Sequence, residues 1–73
     1  MRLESDEMCP TLLLQFKEAY ERAQDGEVIE VKTPWYAAVD ALRELCNALG
    51  SEYLGWQKED NKYVIKIKVR KEK

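Results

Sequence analysis

The sequence contains no histidine among its 73 residues. This absence excludes Ser-His-Asp and Cys-His catalysis, imidazole general bases and most zinc sites from the functions open to this chain. Glycine is also scarce, and the only three, Gly26, Gly50 and Gly55, do not form a glycine-rich phosphate-binding loop. The chemistry of the chain must therefore come from side chains of another kind.

Long apolar runs are missing as well. No stretch approaches the length that a helix needs to cross a bilayer, and the first residues lack the basic-then-apolar pattern of a secretion signal. The two cysteines lie far apart in the sequence and do not form the framework of a secreted disulfide-rich protein. We therefore expect a cytoplasmic protein with no membrane partner, in which a cysteine is either reactive or simply buried.

The most informative stretch begins at Cys9, which is followed at once by Pro10 and then by a segment with helical periodicity. Proline is favoured at the first position inside a helix, so the dipeptide predicts Cys9 at the N-cap. A sulfur at that position faces the positive end of the helix dipole and the free amides of the first turn, which both favour the nucleophilic thiolate. The alternative is that Cys9 packs as a small hydrophobic residue.

Charged residues near this thiol in the sequence act in opposite directions. Glu4, Asp6 and Glu7 oppose its ionisation if they lie close to it. The nearest basic residues in the sequence are Arg2 and Lys17. The sequence therefore leaves the direction of the pKa shift of the thiol open.

Apolar spacing predicts six elements in the order strand, helix, strand, helix, strand, strand. They are a brief edge strand within residues 1–8, a helix from Pro10 to about Gln24, a strand over 27–32, a helix from Trp35 or Tyr36 to Leu49, a strand over 52–59 and a strand over 62–70. This order predicts one α+β domain, residues 1–73, that forms a two-layer α/β sandwich. We expect a four-stranded mixed sheet with both helices on one of its faces.

The second helix is expected to bury one face. Its predicted core positions are Ala38, Leu42, Leu45, Cys46 and Leu49, with Val39 at the flank. Cys46 is therefore predicted to be a buried, inert thiol, and a redox couple between Cys9 and Cys46 is not favoured. Trp35 and Trp56 could belong to a binding site, but packing in the core or at its rim is favoured in so small a protein.

With Cys9-Pro10 opening the first helix, this order of elements resembles the TusA/SirA family of small sulfur-carrier proteins, over roughly residues 9–70. The family carries a Cys-Pro-x-Pro signature at that helix start, which here reads Cys9-Pro10-Thr11-Leu12. Three further family patterns have counterparts in this chain. They are a glycine followed by a strand at 26–31, cysteine-x-x-x-glycine at 46–50 and an aromatic-aliphatic-lysine strand at 63–68.

The resemblance implies a persulfide relay on Cys9, with Pro10 and Thr11 shaping the helix start. Cys9 would accept sulfane sulfur from a donor such as a cysteine desulfurase or a rhodanese-like protein and pass it to an acceptor protein. In such families the sulfur ends in tRNA thiolation, cofactor assembly or sulfur oxidation. Transfer between thiols needs no metal and no cofactor, so we expect neither. The chain would be a sulfurtransferase-type carrier, monomeric or weakly dimeric, and not a stand-alone enzyme.

Two other interpretations remain open at this point. The first is a non-catalytic interaction or regulatory domain that kept the fold and lost the relay, which the altered motif and the acidic residues before Cys9 support. The second is RNA binding through stacking aromatic rings and a basic strand. Its candidate residues are Trp56, Lys62, Tyr63, Lys66, Lys68, Arg70, Lys71 and Lys73. A solvated strand face is favoured over nucleic-acid binding because the net charge is −2.

Overall fold

The computed structural model describes residues 2–4, 6 and 9–71, and the side chains of all of these except residues 9 and 10. The order of elements is the predicted one. The elements are β1 Arg2–Glu4, α1 Cys9–Arg22, β2 Val28–Thr33, α2 Ala37–Leu49, β3 Glu52–Glu59 and β4 Lys62–Lys68. Neither of the two helices in these ranges has the length and apolar character needed to span a membrane.

The strands of the described residues form one four-stranded sheet in the order β1-β2-β4-β3. β1 runs parallel to β2, while β4 runs antiparallel to both β2 and β3. The short β1 is thus an edge strand, as predicted. α1 and α2 pack against each other and share one buried cluster with β2 and β4. The α+β class with a mixed sheet and two helices is confirmed.

The core fills the space between the helices and the sheet. α1 contributes Leu12, Phe16 and Tyr20, Ala23 follows directly after the helix, and the sheet contributes Ile29, Val31, Ile65 and Ile67. Alternation along β4 explains the sheet side of this core, since residues two apart share a face. Val64 is buried too, but by the same alternation it lies on the opposite face of the sheet and outside the core cluster.

α2 buries a slightly different face from the predicted one. Ala38, Leu42 and Cys46 are fully buried as expected, and Val39, predicted at the flank, is fully buried as well. The prediction of Leu49 in the core was wrong, because this side chain is 39% exposed. Leu49 is the last helical residue, after which the chain turns away.

The C-terminal end of α1 is tied to the end of the chain. The Lys71 ammonium donates to the carbonyl oxygens of Glu21 at 3.0 Å and Ala23 at 2.6 Å, which lie where a helix leaves its carbonyls without partners. The Tyr20 hydroxyl donates to the Arg70 carbonyl at 3.0 Å and accepts a bond from Ser51 at 2.6 Å. These bonds hold α1 at the end opposite Cys9.

Candidate functional site

Cys9 is the first residue of α1. The helix thus begins one residue earlier than predicted, so the placement of Cys9 at the N-cap and Pro10 at the first helical position was wrong by one residue. The shift leaves Pro10 well tolerated, because the first four N–H groups of a helix have no partner within the helix. Cys9 lies in the first turn either way. The side chain of Cys9 lies outside the part of the chain that the structure describes, so the predicted reactivity of its thiol stays a prediction.

Leu12 occupies the position of the second proline in the family signature. Its side chain is fully buried and belongs to the core, while that of Thr11 is exposed. The helix continues through this position without interruption. The altered residue therefore anchors the first turn of α1 to the core, where a proline would instead fix the backbone turn.

The sheet register shows which end of the fold carries the start of α1. Glu4 pairs with Lys32 near the end of β2, and Thr33 pairs with Tyr63 near the beginning of β4. Asp6 follows β1 at this end. Three Cα–Cα links of 3.8 Å separate Asp6 from Cys9, so their Cα atoms lie within about 11 Å of each other. The start of α1 is therefore confined to the end of the sheet where β1 and β2 finish.

Two side chains from distant parts of the sequence fix Asp6. The indole Nε1 of Trp35 donates to the Asp6 carbonyl oxygen at 3.0 Å. The ammonium of Lys62 lies 3.4 Å from Asp6 Oδ1 and 3.5 Å from Glu4 Oε2. The hydrogen bond from Lys62 to Asp6, helped by the charges of both carboxylates, raises the pKa of Lys62 above its ordinary value. Lys62 therefore offsets part of the negative charge of Glu4 and Asp6, which precede Cys9 in the sequence.

Sequence reasoning missed the role of Lys62 because it counted distance along the chain. Lys62 is the first residue of β4, more than fifty positions after Cys9. The pairing of β4 with β2, and of β2 with β1, brings it beside Glu4 and Asp6. The sequence predicts a strand that begins at residue 62, but only the strand order β1-β2-β4-β3 brings that start to the end of the sheet where β1 finishes.

An aromatic surface borders the same end of the sheet. We call Trp35, Tyr36, Trp56 and Tyr63 the aromatic rim. The rings of Tyr36, Trp56 and Tyr63 meet edge to face with centroids 5.4–5.5 Å apart. Trp35, Tyr36 and Trp56 are 42%, 48% and 39% exposed, so the tryptophans pack at the rim of the core and not within it. Exposed aromatic side chains of this kind are enriched at protein interfaces.

Cys46 is fully buried and not bonded to another cysteine. Burial raises the pKa of its thiol to about 11. Its carbonyl accepts the N–H groups of both Gly50 and Ser51, and Gly50 adopts the left-handed conformation with φ 76°. The cysteine-x-x-x-glycine pattern is therefore the end of α2, and the predicted burial of this thiol is confirmed.

The buried thiol makes stability depend on pH in the alkaline range. Unfolding returns the pKa of Cys46 from about 11 toward 9.0, so above pH 9 the unfolded chain loses a proton that the folded chain keeps. The neutral buried thiol therefore contributes about 2–3 kcal/mol to the stability of the folded state below pH 9, and this contribution is lost as the pH rises towards 11. We expect the free energy of unfolding, measured with urea, to fall by about 2 kcal/mol more between pH 8 and pH 10.5 in the unmodified chain than in Cys46→Ala. Parallel pH profiles for the two proteins would contradict this assignment.

Several cations of the predicted basic strand are engaged within the chain. Lys62 pairs with Glu4 and Asp6, and Arg70 lies 2.7 Å from Glu52. Lys71 bonds the end of α1. The exposed Lys66 and Lys68 remain as candidates for a nucleic acid, which stays a prediction, and Lys73 lies outside the described residues. Within the ranges that the structure describes, no three acidic, histidine or cysteine side chains are grouped so as to hold a metal ion.

Comparison with known proteins gives one family. A family model described as Sulfurtransferase TusA matches residues 4–69, which includes both helices, β2, β3 and β4 and the last residue of β1. No curated protein matches the chain. The match therefore covers Cys9, the pair formed by Asp6 and Lys62, and the aromatic rim.

Proposed function

The chain belongs to the TusA sulfurtransferase family, and on that premise we propose that Cys9 accepts sulfane sulfur from one protein and passes it to another. Family membership implies the general role of a sulfur carrier. The observation that carries the proposal is that the matched region opens its first helix with Cys9-Pro10. The donor is a persulfide-bearing protein such as a cysteine desulfurase or a rhodanese-like protein, and the acceptor is a protein that presents a thiolate.

The reaction needs only the two sulfur centres. The Cys9 thiolate attacks the outer sulfur of the donor persulfide, a bond forms between Sγ and that sulfur, and the sulfur–sulfur bond of the donor breaks. The donor leaves as a thiolate, and Cys9 becomes a persulfide. One thiol and one persulfide are consumed and one of each is formed, so no external oxidant or reductant takes part. The second transfer repeats these steps with Cys9 as the donor.

The first turn of α1 supports this chemistry. N–H groups in a first turn lack helical partners, and the helix dipole adds positive potential there. Both effects favour the thiolate and the persulfide anion over their protonated forms. No acidic residue occupies the first turn of α1. The helix start therefore favours the ionised sulfur that both transfers require.

The aromatic rim supports docking of a protein partner at this end of the sheet. A typical interface covers about 800 Å² on each partner, which corresponds to a patch with a radius of about 16 Å. A partner whose cysteine reaches Cys9 would therefore also cover Trp35, whose indole bonds to the backbone of Asp6. Large aromatic side chains contribute much of the affinity of such contacts. We propose that Trp35, Tyr36 and Trp56 lie in the shared docking surface for donor and acceptor.

Peptide mapping tests the proposal on the unmodified chain. The chain is incubated in turn with sodium polysulfide and with a persulfide-loaded cysteine desulfurase, and its mass is then measured intact and after digestion. We expect a gain of one sulfur atom that maps to the peptide containing Cys9. Sulfur on the peptide containing Cys46 only, or on neither peptide with either donor, would contradict the relay. The second outcome would favour an interaction domain that kept the fold.

A further inference from the structure

We propose that Lys62 is a positioning residue of the relay, which holds the carboxylates of Glu4 and Asp6 so that they do not act on Cys9 as uncompensated charge. The inference rests on the proposed function of Cys9. It concerns a residue that lies far from Cys9 in the sequence and outside the Cys-Pro signature. The geometry that supports it is a single ammonium within 3.5 Å of two carboxylates on the segment that leads into α1.

Chain connectivity keeps this charge cluster near the start of α1. Asp6 is three residues before Cys9, so the two Cα atoms lie within about 11 Å. Unit charges about 11 Å apart in water interact by an amount equivalent to about a twofold change in an equilibrium constant at low ionic strength. Two unpaired carboxylates would therefore disfavour the thiolate, and Lys62 cancels part of that effect.

Other described charges also lie near this cluster, and Glu59 on β3 shares the register position of Lys62. Arg2 on β1 pairs with Glu30 on β2 at 3.6 Å. Lys32 on β2 shares the register position of Glu4. Lys62 is the cation that the structure places against both carboxylates of the described 2–6 segment, Glu4 and Asp6. Its charge therefore offsets part of the negative charge before α1.

Trp35 makes the electrostatic effect separable from a loss of structure. Its indole bonds to the backbone carbonyl of Asp6 and not to the carboxylate. This bond can persist when either Lys62 or the Asp6 side chain is replaced. Lys62→Gln and Asp6→Asn thus both break the same ion pair and leave the same backbone tether, but they change the charge in opposite directions.

The test is the rate at which iodoacetamide alkylates Cys9 at neutral pH, followed by peptide mass in the chain alone. We expect Lys62→Gln to lower this rate about twofold and Asp6→Asn to raise it about twofold, because the rate follows the thiolate fraction. The effects should shrink in high salt, since charges near solvent are screened. Lys66→Gln is the matched control. It removes the same charge from the same strand four residues further along, and it should change the rate less than Lys62→Gln.

Changes of the two rates in the same direction would overturn the inference, because they would show that the ion pair acts only by holding the segment. Equal effects of Lys62→Gln and Lys66→Gln would overturn it as well. The measurement uses no sulfur donor, so it is independent of whether Cys9 carries sulfur. Failure of the unmodified chain to take up sulfur would contradict the proposed function but would leave these alkylation rates unchanged.

Discussion

Cys9→Ala is expected to take up no sulfur from a persulfide-loaded desulfurase, whereas Cys46→Ala should take up one sulfur atom per chain, as the unmodified protein does. The reason is that a persulfide forms only on a thiolate that the donor can reach. Cys46 is fully buried with a pKa of about 11, so it offers almost no thiolate at neutral pH. Intact mass before and after reduction gives the result directly.

Two control variants show whether the loss of sulfur uptake comes from the missing thiol or from unfolding. Cys9→Ser keeps a side chain of similar size and should fold like the unmodified chain while it accepts no sulfur. Cys46→Ala removes a core sulfur and is expected to cost about 1 kcal/mol of stability, which leaves the chain folded. Circular dichroism confirms the fold of each variant. Uptake by Cys9→Ala, or its loss in a folded Cys46→Ala, would contradict the assignment of the relay to Cys9.

Most of the fold could be predicted from local patterns. Alternating apolar and charged residues fixed β4, and spacings of three and four residues fixed the buried face of α1, because burial of one face repeats with the period of each element. The details that failed lie where periodicity alone gives the wrong burial. Leu49 shares the periodicity of the core face of α2, but it is the last residue of the helix and is partly exposed. Val64 is buried on the open face of the sheet, where alternation predicts solvent.

The candidate site was predictable only in part, for a related reason. The Cys9-Pro10 dipeptide identifies the helix start because a proline there acts through the local backbone. The partners of Asp6 are Trp35 and Lys62, and the order of strands in the sheet brings both of them to Asp6. No local pattern encodes that order. Proximity along the sequence therefore identifies Glu4 and Asp6 as charges near Cys9 but does not identify Lys62, which pairs with both of them.

The stability of the site depends on the packing of α1, which makes Phe16 the most sensitive core position of that helix. Phe16 is fully buried, and its ring lies 6.0 Å from that of Tyr20. Phe16→Ala removes a large buried side chain and leaves a cavity, so we expect the free energy of unfolding to fall by about 3–5 kcal/mol. A chain of 73 residues has a total stability of only about 4–11 kcal/mol. The variant should therefore be marginally folded.

Leu14→Ala is the matched control for this prediction, since Leu14 lies two residues away on the same helix and is 62% exposed. Alanine is a good helix former, so this variant should differ from the unmodified chain by no more than about 0.5 kcal/mol. Urea unfolding followed by far-ultraviolet circular dichroism measures both. Equal midpoints for the two variants would show that α1 does not pack through Phe16. Because Cys9 is the first residue of that helix, such a result would also remove the support for the position of Cys9 at the end of the sheet.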